Sequence, residues 1–166
     1  GWGAMEHRAE LIGVNAMLET TNKQFSTLMG DSQVAADHVK MLFDLGAQTP
    51  YTTEQLISMS KHFQTFGGAA LNGKDNLVLF GDAASAVQAP VERVGFWVGR
   101  LYSNIQNGKP FGDAAMNLQE LGMMSGETRD KLEAMQKAGA SGSEIWKAYT
   151  DDMKRFSGAM AEQATT

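Results

Sequence analysis

Apolar residues recur at every third and fourth position through most of this chain, and strict alternation is nearly absent. That periodicity belongs to helices with one buried stripe, so the fold class it predicts is all-α. The clearest stripe is Val91, Val94, Val98, Leu101 and Ile105, which keeps a seven-residue rhythm as far as Gln106. Leu56, Met59, Phe63 and Phe66 follow one another at spacings of three, four and three, again one buried face. Ala35, Val39, Leu42 and Phe43 form the stripe of a helix expected over 33–46, and Ile145, Tyr149, Met153, Phe156 and Met160 that of one over 143–161. Shorter helices are expected over 113–121 and 127–138. The segment 75–87 is apolar on most sides and predicts a buried helix, interrupted or re-capped at Gly81-Asp82. Over 4–25 the pattern is weak and Thr20-Thr21 loosens it, which predicts a partly exposed helix. The architecture expected is a compact single domain over 1–166, of about seven or eight short, unequal helices, not a clean up-down bundle.

The breaks between these segments carry their own signals. Gly30-Asp31-Ser32 reads as a stop followed by an N-cap, because a short polar side chain accepts from free first-turn amides. Pro50 lacks an amide donor and biases Thr49 away from helical angles, so Thr52 or Thr53 must restart the chain as a cap. Gly67-Gly68 ends a helix, Asn72-Gly73 reads as a turn, and Pro90 sits where a first-turn proline belongs. Ser141-Gly142-Ser143-Glu144 has capping-box spacing. The tail, 162–166, has no apolar anchor and is expected to fray. Phe-Gly-Asp-Ala-Ala occurs twice, at 80–84 and at 111–115. The echo predicts one helix-starting device used twice, with Asp82 and Asp113 as caps; a duplicated module or an acidic site is the alternative.

Composition narrows the classes. Hydrophobic residues at 43% and charged residues at 20% suit a folded globular chain. A net charge of −5 and scattered Lys and Arg argue against a nucleic-acid surface. The absence of cysteine removes disulfides and thiolate metal sites. The longest apolar candidate for a membrane span, 76–91, is interrupted by Asp82. The first residues show neither an initiator Met nor a signal-peptide apolar region, so the sequence reads as a piece of something longer. The 11 methionines either fill an irregular core or line an adaptable groove for a partner helix.

Tests for chemistry come out negative. Residues 68–75, Gly-Ala-Ala-Leu-Asn-Gly-Lys-Asp, nearly spell a phosphate loop but lack its final Ser or Thr and a preceding strand. His7, His38 and His62 have no second His or Cys at ligand spacing. Asp151 and Asp152 are successive on a helix and diverge, and no spaced calcium-loop carboxylates occur. No serine sits on a strained elbow. The expectation is a protein that is not an enzyme, with no catalytic, cofactor-binding or metal-binding residues and no cofactor.

Taken in order, the breaks resemble the conserved globular N-terminal region of bacteriophage tail tape measure proteins. The resemblance runs through Phe25, Gly30-Asp31-Ser32, Thr49-Pro50-Tyr51 and Phe66-Gly67, then Gly81-Asp82-Ala83-Ala84, Gly108, and Leu118, Leu121 and Gly122. It covers about residues 18–160 and departs after Gly122, where Met123-Met124-Ser125 replaces a Pro-containing turn. It implies a structural virion protein acting in tail assembly and genome delivery. Its implied partners are the tail tube, the tail tip or baseplate, and assembly chaperones, with self-association also allowed. The implied location is the virion tail and, during assembly, the bacterial host cytoplasm. The competing expectation is a helical adaptor that holds a partner helix in a Met-rich groove.

Overall fold

The computed structural model describes the backbone of residues 2–164 and the side chains of residues 13–164. All regular structure among the described residues is helical. The helices are α1 (Trp2–Met29), α2 (Ser32–Gln48), α3 (Thr53–Gly67), α4 (Lys74–Val87), α5 (Val91–Gln106), α6 (Gly112–Glu120), α7 (Gly126–Lys137), α8 (Gly142–Met153) and α9 (Ala159–Ala164). Single 3₁₀ turns occupy Gly68–Ala70 and Lys154–Phe156. The all-α expectation holds, and the helices are unequal, from 6 residues in α9 to 28 in α1. The chain forms two compact units, Gly1–Asp44 and Leu45–Thr166.

In the first unit the Asp31 carboxylate accepts from the amides of Gln33 and Val34, both at 2.9 Å, and starts α2 as predicted. Phe25, Ala35, Val39 and Leu42 are buried, while Phe43 is only half-buried. The Phe25 and His38 rings lie 5.4 Å apart. α1 is longer than the weak pattern over 4–25 predicts. Val14, Asn15 and Ala16 are exposed and Met17 and Leu18 half-buried, in keeping with that weakness.

The second unit is organised around α5, which packs against α3, α4, α6 and α8. Its predicted stripe, Val91, Val94, Val98, Leu101 and Ile105, is buried throughout. On the facing helix Leu56, Met59 and Phe63 are buried and Phe66 is half-buried. The close approach of α3 to α5 depends on Gly95 and Gly99, one turn apart on α5. A Cβ at Gly95 would lie 2.8 Å from the Met59 Cα, and one at Gly99 would lie 2.6 Å from Phe66 Cδ2. Thr52 caps α3 with a complete capping box, its hydroxyl accepting from the Gln55 amide while Gln55 accepts from the Thr52 amide. Met59, Met123, Met124, Met153 and Met160 are core residues, which removes them from any surface groove.

Three expectations fail in instructive ways. α4 runs unbroken through Gly81 and Asp82, so neither residue interrupts or re-caps it. The helix expected over 143–161 instead ends at Met153, passes through the 3₁₀ turn, and restarts as α9. Ser157 is extended at ψ 132 and Gly158 takes φ +91, a conformation L side chains rarely adopt, so the chain turns sharply there. Asp113 is exposed and makes no cap bond, and the cap position of α6 is held by Phe111. Elsewhere the corrections are small. Pro90 occupies the N-cap of α5 and not its first turn. At α8 Ser141 accepts from the Glu144 amide, but Glu144 accepts from the Ser141 hydroxyl and not from its amide. Within the tail, residues 162–164 are exposed yet helical, and 165–166 lie outside the described residues.

Gly95 in the α3–α5 seam and Gly13 on open α1 give a test in which two glycines must answer with opposite sign. Gly95→Ala gains helix propensity but drives a methyl into backbone, so urea unfolding should show a loss of about 1–3 kcal/mol. Gly13→Ala in α1 meets nothing within 4 Å and should stabilise by roughly 0.5–1 kcal/mol.

Candidate functional site

The most elaborated polar constellation in the second unit centres on Asp82, which is buried on the inner side of α4. A carboxylate in an otherwise apolar segment needs partners, because burying it unpaired is costly. Its partners are 76 and 78 residues away in sequence: Oδ2 accepts from the Gly158 amide at 3.1 Å and Oδ1 from the Met160 amide at 3.0 Å. Asp82 is therefore a cap, but for α9 and not for a helix of its own. Around it, the Ser85 carbonyl accepts from Gln163 Nε2 at 2.7 Å, and Tyr51 Oη donates to the Gly81 carbonyl at 3.4 Å. Burial pushes the Tyr51 hydroxyl up to about 12, the charges of Asp82 and Glu92 add to this, and hydrogen bonding with Ser85 works against it. Tyr51 is thus a neutral donor at physiological pH and no base.

A second constellation is an aromatic face on α3 and α5. His62 and Phe66 meet Phe96 edge-to-face at 5.6 and 5.7 Å, Phe96 meets Trp97 at 4.9 Å, and the Arg100 guanidinium lies 5.7 Å from the Phe96 ring and 6.0 Å from that of Trp97. All five side chains are half-buried. The geometry is that of cation–aromatic packing, which stabilises the helix pair as it stands.

On α8 two successive aspartates are ion-paired. Asp151 accepts from Lys147 at 2.7 Å and Lys154 at 2.9 Å, and these hydrogen bonds hold its carboxyl down to about 2. Asp152 pairs with Arg155 at 2.8 Å and accepts from the Thr128 hydroxyl at 3.2 Å. The two aspartates thus diverge, as their spacing predicts. They border a cleft of about 380 Å³ between α7 and α8 that also includes Lys131 and Arg155. Tyr149 is fully buried, donates to the Met123 carbonyl at 3.0 Å, and has its hydroxyl pushed up by that burial. Buried Ser60 and Asn72 form a polar chain with half-buried Gln64: the Ser60 hydroxyl donates to Asn72 Oδ1 at 2.8 Å, and Gln64 accepts from Asn72 Nδ2 at 3.1 Å.

The phosphate-loop-like stretch does not form such a loop: Gly68–Ala70 is a 3₁₀ turn, and Lys74 is the exposed first residue of α4. The side chain of His7 lies outside the described residues; His38 packs tilted against Phe25 and His62 edge-to-face against Phe96. Among the described residues no three His, Asp or Glu side chains come together as a metal site, and no helix is long and apolar enough to cross a membrane. Asp82, Gln163 and the aromatic face went unread as partners in the sequence. The one signal pointing to the first was a lone carboxylate in an apolar run. Comparison with protein-family models, curated proteins and solved structures finds no match.

Two predictions follow from these contacts. Asp82→Ala strips two amides of a charged acceptor and should lower stability to urea by about 1.5–3 kcal/mol, whereas Asp113→Ala should stay within about 0.5 kcal/mol. Burial lowers the pKa of both His38 and His62. Below about pH 6.5 the unfolded chain takes up protons that the folded chain resists, so stability should fall as pH drops from 7.5 to 5.5. The His38→Gln, His62→Gln double variant should show a shallower fall in its urea midpoint over the same range.

Proposed function

We propose that this chain is the folded region of a phage tail tape measure protein, with a structural and non-catalytic role in tail assembly and genome delivery. The observation supporting the reading is the order of helix breaks, from Gly30-Asp31-Ser32 through Thr49-Pro50-Tyr51 and Phe66-Gly67 to Gly108 and Gly122. In the fold, each of these falls at or beside a helix end. Gly81-Asp82-Ala83-Ala84 is the exception, since it lies inside α4. On this reading the chain works alongside tail-tube, tail-tip or baseplate proteins and assembly chaperones. It acts in the virion tail and, during assembly, in the host cytoplasm.

Helix length supports a folded unit over a ruler. A ruler helix gains about 1.5 Å per residue and must run on unbroken. From α2 onward no helix exceeds 17 residues, and only α1, at 28, approaches ruler character. Deleting residues 18–160 from the parent phage protein should therefore abolish or misassemble tails, as seen by electron microscopy. Infectious tails shortened by about 1.5 Å per residue removed would make the region ordinary ruler. Tails of normal length and form would make it dispensable to assembly.

A further inference from the structure

We propose that the solvent side of α5 is a docking surface for an acidic helix of a partner protein, gripped by Arg93, Trp97 and Arg100. With 3.6 residues per turn, these three side chains and Phe96 fall within about 100° of arc. They lie on the side of α5 turned away from its buried stripe and from Gly95 and Gly99. That side of an amphipathic helix ordinarily carries polar residues, yet here it also carries two rings, Phe96 and Trp97, both only half-buried.

The chemistry of the stripe selects its occupant. Arg93, Trp97 and Arg100 present only donors, two guanidinia and an indole N–H. None of them has a hydrogen-bond or ion-pair partner among the described residues. The Arg100 guanidinium is held at the Phe96 and Trp97 rings instead. Glu54 is the one acid of α3 and Glu92 that of α5; both stand in the first turn, and the charge of Glu92 acts on Tyr51. A stripe of unanswered donors is complementary to carboxylates, which only accept. Phosphates accept as well, but nucleic-acid affinity grows with the number of phosphates neutralised, and two arginines on a chain of net charge −5 are few. At physiological salt, charges more than about 8 Å away are largely screened, so the stripe's own arginines decide at contact.

The spacing sets the register. Arg93 and Arg100 stand about 10.5 Å apart along the axis, with Trp97 between them. A partner helix with two carboxylates seven residues apart and a large apolar residue between them matches that order. The seam over Gly95 and Gly99 fixes the helix that carries the stripe, and the two rings already hold Arg100 in place. Little freedom is then lost on pairing. Trp and Arg are also the side chains in which interfaces concentrate their binding energy.

The chain has three tryptophans, so the Trp97 indole N–H is one of three such NMR signals. Two synthetic helical peptides of about 20 residues are titrated into the full chain at physiological salt. One carries Glu seven positions apart on either side of a Leu, and the other carries Lys in place of each Glu. The Glu peptide should move the Trp97 indole and the amides of residues 93–100 saturably, leave the Trp146 indole in place, and bind at least about ten-fold more tightly than the Lys peptide. The Arg93→Glu, Arg100→Glu double variant should reverse that preference. Arg93→Glu alone, at an exposed site, should weaken the Glu peptide at least about three-fold, which keeps the test decisive should the double variant fold poorly. Equal response to the two peptides, no saturable shift at Trp97, indifference to Arg93→Glu, or an unreversed preference in the folded double variant would each overturn the proposal. Tighter binding of an oligothymidylate of about 20 nucleotides than of the Glu peptide would overturn it in favour of a nucleic-acid surface.

Discussion

The close approach of α3 and α5 is the constraint on which the second unit depends. Two glycines a turn apart let the helices meet backbone to side chain, with Met59 over Gly95 and Phe66 over Gly99. Helix pairs normally keep about 8–10 Å between axes, set by the side chains at the contact, and small residues bring them to the near end. Everything else follows from that seam. The buried stripe of α5 is left facing α6 and α8, Phe63 is brought against Phe80, and the outer edge of the seam carries the Phe66, Phe96, Trp97 and Arg100 cluster. A helix pair that meets over glycines tolerates little added volume, so this region is the least adaptable part of the unit.

Several polar groups of the interior are held by specific partners. Asn72 is buried because Ser60 and Gln64 satisfy its amide, and it fixes the chain between α3 and α4. Tyr149 is buried because the Met123 carbonyl accepts its hydroxyl. Asp82 differs in kind, being a charge answered by backbone amides and not by a cation. Its partners lie on the segment that carries Met160, which is itself part of the core.

Much of this was legible in the sequence, and the reasons for the rest are physical. The stripes of α3 and α5, the Asp31 and Thr52 caps and the break at Gly67-Gly68 all express local rules, in which spacing or a single side chain decides. The identical Phe-Gly-Asp-Ala-Ala segments show where local rules stop. At 80–84 the segment lies inside a buried helix, and at 111–115 it opens one, with Asp82 buried and Asp113 exposed, because tertiary packing, not the five letters, selects the outcome. The same holds at Gly81, whose meaning comes from Met160, 79 positions on. The split at 154–158 had a local signal in Gly158, overridden in the reading by an apolar stripe that continued across it. The tail constellation could not be read at all, since capping by a side chain 76 residues away leaves no spacing to recognise.

The central functional claim is that this chain belongs to a phage tail, and it rests on the order of helix breaks. Its most direct test is quantitative mass spectrometry of phage tail assembly intermediates and finished tails purified from lysates of the strain that carries its gene. The account predicts peptides from residues 18–160 in the assembly intermediates, in fixed ratio to the tail-tube protein. Their absence from both intermediates and finished tails, with the chain recovered only in the soluble cell fraction, would contradict it.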